Sequence, residues 1–334
     1  MRGLRTALAL TATLALAVGA AACGDDEEAG PAGGSSLSDQ KTSITIGLAS
    51  HVGTYTPLYL AVDEGYFEQE GLDVELVAFQ GGSDVLKATI GGSVDIAVSA
   101  PSEMIGGVQQ GQPLKAFWGG FNQLSFEWWA SPSIKSVADA KGKTWGVSRI
   151  GSSTDFLTRF LLTQEGLDPD RDARIIGVGP PAGAEAAMKA DKIQVAIAPQ
   201  PSTFVYEEEG FSKIAELADH FSQYPMHVSY STEEFQRDNP QVVEAYLRAL
   251  VRGMKLAKSD RAAAEAAMAK YVKVPEKYLA KTYDAYAPGW DETGAIPNEK
   301  DMDTWWEIGI ENKQFKEKLP EDAWLNRTWL DGGV

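Results

Sequence analysis

The sequence predicts an α/β chain of two similar lobes. Residues 44–102 read as strand, helix, strand, helix, strand, and residues 144–202 repeat that order. The first helix of each repeat closes on the same letters, Gln69-Glu70-Gly71-Leu72-Asp73 and Gln164-Glu165-Gly166-Leu167-Asp168, with glycines that suit left-handed helix stops. Each repeat then runs through an apolar strand, 94–98 or 193–197, and breaks at Ala100-Pro101-Ser102 or Gln200-Pro201-Ser202. Two βαβαβ units imply two parallel sheets. Ligands sit beyond the carboxyl ends of such strands, and two facing sets of ends make a cleft.

In order, 42–48 alternates and is β-branched, so it is a strand. The loop at its end carries His51, Gly53, Thr54 and Tyr55, and Pro57 opens a helix. After the strand 73–79 come Gln80, Gly81, Gly82 and Ser83, with Ser83 or Asp84 able to cap the next helix. The third strand ends at Ser99 and Ser102, and a further strand, 112–119, leads to Phe121 and Asn122. Three strand ends thus share one rim. Trp128-Trp129 and the alternating stretch 226–230 are expected to cross between the lobes.

In the second lobe the strand 143–148 is followed by Arg149-Ile150-Gly151-Ser152-Ser153-Thr154 and a helix. Hydroxyls, a glycine, one arginine and the amide end of a helix suit a small anion; an ordinary N-cap with a solvated arginine is the plain alternative. Asp155 suits the helix dipole and would weaken anion binding. The glycine-rich run 177–183 contains two prolines that remove donors, so it lines the cleft at most. In the last third, 240–258, 262–271, 275–286 and 301–312 have helical spacing and should pack on the first lobe's sheet. Trp305 and Trp306 read as packing residues.

The 334 residues suffice for two lobes of ordinary size. A net charge of −17 argues against a nucleic-acid partner. One cysteine, Cys23, permits no intrachain disulfide, and His51, His220 and His227 have no metal-motif spacing. No metal or cofactor is expected.

Residues 1–40 read as an address. Arg2 and Arg5 precede an apolar run, 7–22, that is short for a membrane span and laid out like a secretory signal. It ends in Ala20-Ala21-Ala22-Cys23-Gly24, which resembles a bacterial lipobox whose cysteine takes lipid. Alanine stands where leucine is usual, and signal cleavage beside an incidental cysteine is the other reading. Residues 24–39 have a tether's composition. The expected division is a signal peptide at 1–22, a lipid-anchored linker at 23–41, lobe one at 42–125 and 231–334, and lobe two at 126–230.

Pro57-Leu58-Tyr59-Leu60-Ala61, Gly65-Tyr66-Phe67-Glu68, Gly71-Leu72-Asp73-Val74 and Gly92-Ser93-Val94-Asp95-Ile96-Ala97 stand in the order of one family. So do Asp139-Ala140-Lys141-Gly142-Lys143-Thr144, Gly151-Ser152-Ser153-Thr154-Asp155, Asn239-Pro240 and Tyr246-Leu247-Arg248-Ala249. Together they resemble the substrate-binding proteins of ABC importers of the sulfonate, nitrate and taurine type, the NMT1/THI5-like or SsuA-like group. The resemblance covers roughly 43–257. Many members have Glu-Pro where this chain has Gln200-Pro201, so a carboxylate contact there is not carried over.

The resemblance implies a periplasmic-binding-protein-like type II fold, two βαβαβ lobes joined by two crossing strands. It implies an exported monomer, lipid-anchored outside the bacterial cytoplasmic membrane, that closes over a small solute and docks on ABC permease subunits. The expected ligand contacts are His51, Tyr55, Gln80, Gly81, Ser83, Ser99, Ser102, Phe121 and Asn122 from lobe one. Those from lobe two are Arg149, Ser152, Ser153, Thr154 and Gln200. His51 reads equally as a cap of its own loop; Tyr55 and Phe121 would cover an organic part of the ligand. The expected solute is an anion such as a sulfonate, nitrate or organic acid, with a pyrimidine or flavin precursor as the alternative. A thiamin-pyrimidine synthase of the same fold family uses pyridoxal phosphate and a histidine. Its cysteine-rich motif is absent here and no nucleophile stands beside a His-Asp pair, so an enzyme is not expected. A module docking on a membrane sensor is the third reading.

Overall fold

The computed structural model describes residues 41–122, 124–296 and 299–330. The expected signal peptide, Cys23 and the tether up to residue 40 lie outside them. The first pass of the chain runs β1 (Thr42–Leu48), α1 (Thr56–Asp63), α2 (Tyr66–Gln69), β2 (Leu72–Ala78), α3 (Gly82–Ile90), β3 (Ile96–Ser99), α4 (Pro101–Gln109) and β4 (Leu114–Asn122). The second runs β5 (Glu127–Ala130), β6 (Thr144–Val147), α5 (Ser153–Gln164), β7 (Arg174–Gly177), α6 (Pro181–Lys189), β8 (Val195–Ala198), α7 (Ser202–Glu208) and β9 (Ser212–Glu216). The chain returns through β10 (Pro225–Thr232). It finishes with α8 (Glu233–Asp238), α9 (Pro240–Ser259), α10 (Arg261–Ala267), α11 (Glu276–Tyr286) and α12 (Glu299–Glu311).

Local signals act where expected. Gly71 and Gly166 take φ of 80° and 75°. After α5, Leu167 N donates to Leu162 O at 2.8 Å and Gly166 N to Thr163 O at 3.0 Å, the paired bonds that close a helix on a left-handed residue. The cap of α3 differs from expectation: the helix begins at Gly82 after Gly81 with no side-chain cap, and Asp84 lies in its first turn.

The two sheets have matching strand orders, β2-β1-β3-β10-β4 and β7-β6-β8-β5-β9. In each, the first three strands are parallel, as expected. One strand per sheet is antiparallel to both neighbours, β10 in the first and β5 in the second. The expectation of all-parallel sheets is therefore corrected to mixed ones, and the reason is connectivity. β4 and β9 end at the cleft, so the strand that follows each starts at the cleft of the other sheet and runs away from it. Trp128-Trp129 and 226–230 accordingly lie within sheets, and the crossings are the short segments that precede them.

Helix α9 lies on α1 because Gly253 permits it: a Cβ there would come within 2.1 Å of Pro57 O. Its buried face, including Val243, Tyr246, Leu250 and Met254, closes the outer core of the first lobe. The expectation that all the late helices pack on the first sheet fails for α12. It packs on α5, where Trp305 stacks on Phe156 at 5.7 Å between centroids. The Trp305 indole N–H donates to Tyr224 Oη at 3.4 Å. Helix α5 buries Phe156 against the Trp305 indole, while its Phe160 packs on His220 and Phe221. Trp305 and Trp306 are thus core residues, as their setting in the sequence suggested.

Candidate functional site

Where the carboxyl ends of β1, β6 and β8 approach one another, a cavity of about 60 Å³ lies between the sheets. The first sheet contributes Ala49, Ser50, Thr54, Gly81 and Gly82; the second contributes Val147, Ser148, Ser153, Thr154, Gly179, Ile197 and Pro199. The crossing before β5 adds Ser125 and Phe126, β10 adds Met226 and His227, and α11 adds Tyr286. A larger hollow of about 700 Å³ lies beneath α12, among Met302, Trp306, Trp324 and Leu325. Among the described residues it receives nothing from either set of strand ends.

The loop before α5 is internally bonded. Ser148 N donates to Thr154 Oγ1 at 2.9 Å, Ser152 Oγ to Arg149 O at 2.7 Å, and Gly151 N to Asp155 Oδ2 at 2.8 Å. The Ser153 amide reaches outside its loop and lobe: it donates to Oε1 of Glu103, on α4, at 2.7 Å. Beside it, Arg149 Nε donates to Asp84 Oδ2 of α3 at 3.0 Å. Both features expected to greet an anion therefore meet an acid of the first lobe.

Glu103 is 3% exposed. Burial pushes its carboxyl up to about 7, against the hydrogen bonds from the Ser153 amide, its own amide and Ser102. The start of α3 is shaped around it: a Cβ on Gly82 would come within 2.2 Å of Glu103 Oε1. His227 is 6% exposed, and its Nδ1 has no hydrogen-bond partner. Burial lowers its pKa to about 3, so the ring is neutral. It packs 4.7 Å from the ring of Tyr55. On the far side, Tyr286 Oη donates to Gln200 O at 2.9 Å, another contact from one lobe to the other.

Of the expected contacts, Gly81, Ser153 and Thr154 line the cavity. Ser152 lies behind them in the loop network, and Arg149 sits at the rim. Tyr55 and Phe121 turn into the first core, with Tyr55 Oη donating to Val98 O at 2.9 Å. Ser99 Oγ lies 3.2 Å from Tyr230 Oη, and Ser102 Oγ donates to Glu103 Oε2 at 3.3 Å. Asn122 Nδ2 donates to Ala295 O at 2.8 Å. His51 faces the helices of its own lobe, with Nδ1 3.2 Å from Tyr59 Oη. Gln80 is exposed, and Ser83 lies inside the first turn of α3. Gln200 acts through its carbonyl, while its buried Oε1 has no partner. The reason is shared: strand alternation and helix phase send half the side chains of a rim loop into the core.

Glu103, His227 and Tyr286 were not expected. An acid in the first turn of a helix is an ordinary dipole partner, and a histidine in an alternating strand carries no spacing signal. The one sequence feature that answers to Glu103 is Gly82, where a Cβ would collide with its carboxylate, and the sequence alone did not show that.

Two mixed sheets of matching order around a shared cleft define the periplasmic-binding-protein-like class of fold. Over residues 53–264 the sequence matches the family described as NMT1/THI5 like, and the chain belongs to that family. A solved protein from Bordetella bronchiseptica RB50 is 27% identical, covering 87% of this chain and 96% of its own at a TM-score of 0.73. The alkanesulfonate-binding protein SsuA from Xanthomonas axonopodis pv. citri, bound to MOPS, is 18% identical, with 87% and 100% covered and a TM-score of 0.72. A ligand-binding component of an ABC-type import system from Staphylococcus aureus, with zinc bound, is 15% identical, with 88% and 99% covered and a TM-score of 0.73.

Proposed function

We propose that this protein captures a small solute between its lobes, outside the cytoplasm, and delivers it to the permease subunits of an ABC importer. The observation that carries this reading is the interlobe cavity, walled by both sheets and closed by hydrogen bonds from lobe to lobe. Its volume of about 60 Å³ is far below the several hundred of ordinary small-molecule sites. A solute therefore gains access by separation of the lobes, and it favours the closed state because both faces touch it only there. The crossings after β4 and β9 are the natural hinges. Support comes from the family and from relatives named for alkanesulfonate binding and ABC-type import. Lipid anchoring through Cys23 completes this reading and rests on the sequence around that residue.

A binder rather than an enzyme is supported by the polar groups at the cavity. The Ser153 amide is engaged by Glu103, and His227 has no partner at Nδ1 that would make it a base for a serine. The expected anion would bind at Arg149 and the α5 amides by displacing Asp84 and Glu103. The uncharged alternative is favoured by walls of Phe126, Val147, Ile197 and Met226 beside a neutral imidazole. Small-angle scattering of the purified protein, with solutes drawn from a thermal-shift screen, tests the function. Contraction with a stabilising solute that is recovered unchanged is expected. Stabilisation without contraction, or chemical conversion of the solute, contradicts the reading.

A further inference from the structure

We propose that Glu103 sets the class of solute: it is a resident carboxylate on the amide end of α5 that turns anions away, leaving the cavity to a solute that presents an uncharged polar group to His227. This rests on the solute-capture reading and narrows it.

The amide end of the twelve-residue α5 is where a sulfonate or nitrate would sit by helix-dipole logic. Two amides of this loop and helix start already have acids. Asp155 takes the Gly151 amide at 2.8 Å and Glu103 takes the Ser153 amide at 2.7 Å. Glu103 is 3% exposed and sits in a recess that the missing side chain of Gly82 leaves open. It is thus built into the closed structure rather than swept in from the surface. Above about pH 7, where Glu103 is ionised, a second anion at Ser153 would lie within hydrogen-bond range of that carboxylate in a site shielded from water, where like charges repel most strongly. The Arg149 guanidinium, which could offset the repulsion, is held by Asp84 at 3.0 Å.

The second observation is independent of the helix. His227 comes from β10 in the other sheet, is 6% exposed and lines the same cavity. Its Nδ1 has no partner, although buried polar atoms are nearly always paired. A neutral imidazole lining a cavity with Phe126, Met226 and Ile197 suits an uncharged donor or acceptor; a carboxylate or sulfonate would there be desolvated without a counter-charge.

Calorimetric titration of the purified protein and of Glu103→Gln with sodium methanesulfonate and sodium nitrate, in mildly alkaline buffer, tests this. The expected result is that the Gln variant binds at least one of these anions about tenfold or more tighter than the unmodified protein. Glu103→Ser, which also frees the Ser153 amide, should show the same gain and serves if the Gln variant does not fold. Micromolar binding of either anion by the unmodified protein overturns the proposal and leaves solute capture standing. Equal affinities, or no saturation in any of the proteins, also overturn it. Failure of capture itself reads out separately, as stabilisation by a solute without contraction in scattering.

Discussion

The two faces of the cleft rise from sheets with the same strand order, yet their chemistry is unlike. The first lobe brings two buried ionisable side chains, Glu103 and His227. The second brings amides and hydroxyls, with Arg149 at the rim, its side chain 43% exposed. The contrast extends to equivalent turns. The exits of β3 and β8 both break at a proline followed by a serine, and both reach the other lobe. From the first, the Glu103 carboxylate accepts the Ser153 amide; from the second, the Gln200 carbonyl accepts the Tyr286 hydroxyl. One contact rests on a carboxyl that titrates near neutral pH, the other on a neutral hydroxyl and carbonyl. A repeated fold places equivalent loops opposite each other, but closure needs the copies to differ. Two faces of carboxylates would repel, and two faces of amides would lack acceptors.

This asymmetry can be broken or sharpened by experiment. The largest effect belongs to His227. Its folded pKa, about 3, lies below the ordinary 6.5, so its contribution is full above pH 6.5 and is lost as pH falls toward 3. By then the loss is roughly 5 kcal/mol. Urea unfolding across this range should show the acid slope in the unmodified protein and a flatter one in His227→Gln; identical slopes would remove the residue from the account. Glu103 acts with the opposite sign. Its folded pKa, about 7, lies above the ordinary 4.5, so the folded state holds the proton longer and stability declines as pH rises from 4.5 to 7. The decline is roughly 3 kcal/mol, and Glu103→Gln should lack it.

The neutral contact should respond differently. Tyr286→Phe strands the Gln200 carbonyl and should cost about 1–3 kcal/mol, with no pH dependence through the acid range. A pH-dependent loss would show that the two contacts are not separable. The smallest effect is expected at the rim: Arg149→Ala should cost less than about 1 kcal/mol and less still in high salt, because the pair with Asp84 is partly exposed. A larger loss would mean that the second face depends on charge after all.

Much of the architecture was legible because its signals are local. The glycines at 71 and 166 stop helices by their own backbone freedom, and Pro57 suits a first turn wherever the helix packs. The repeat itself announced two lobes. The rim loops were placed correctly by strand ends, and Gly81, Ser153 and Thr154 reach the cavity from them. Which side chains turn inward was not legible: Tyr55, Ser99 and Phe121 stand in or beside the same loops and end in the core.

Order along the chain thus determined the elements, their duplication and the family, since each depends on neighbours a few residues apart or on motif order. The tertiary structure decided the chemistry of the cleft. Glu103 meets Ser153 fifty residues away, and Tyr286 meets Gln200 eighty-six away. A carboxylate becomes a buried cross-lobe acceptor, and a histidine a neutral cavity wall, only when packing removes water from around them. That desolvation belongs to the assembled lobes and is written in no single stretch of residues.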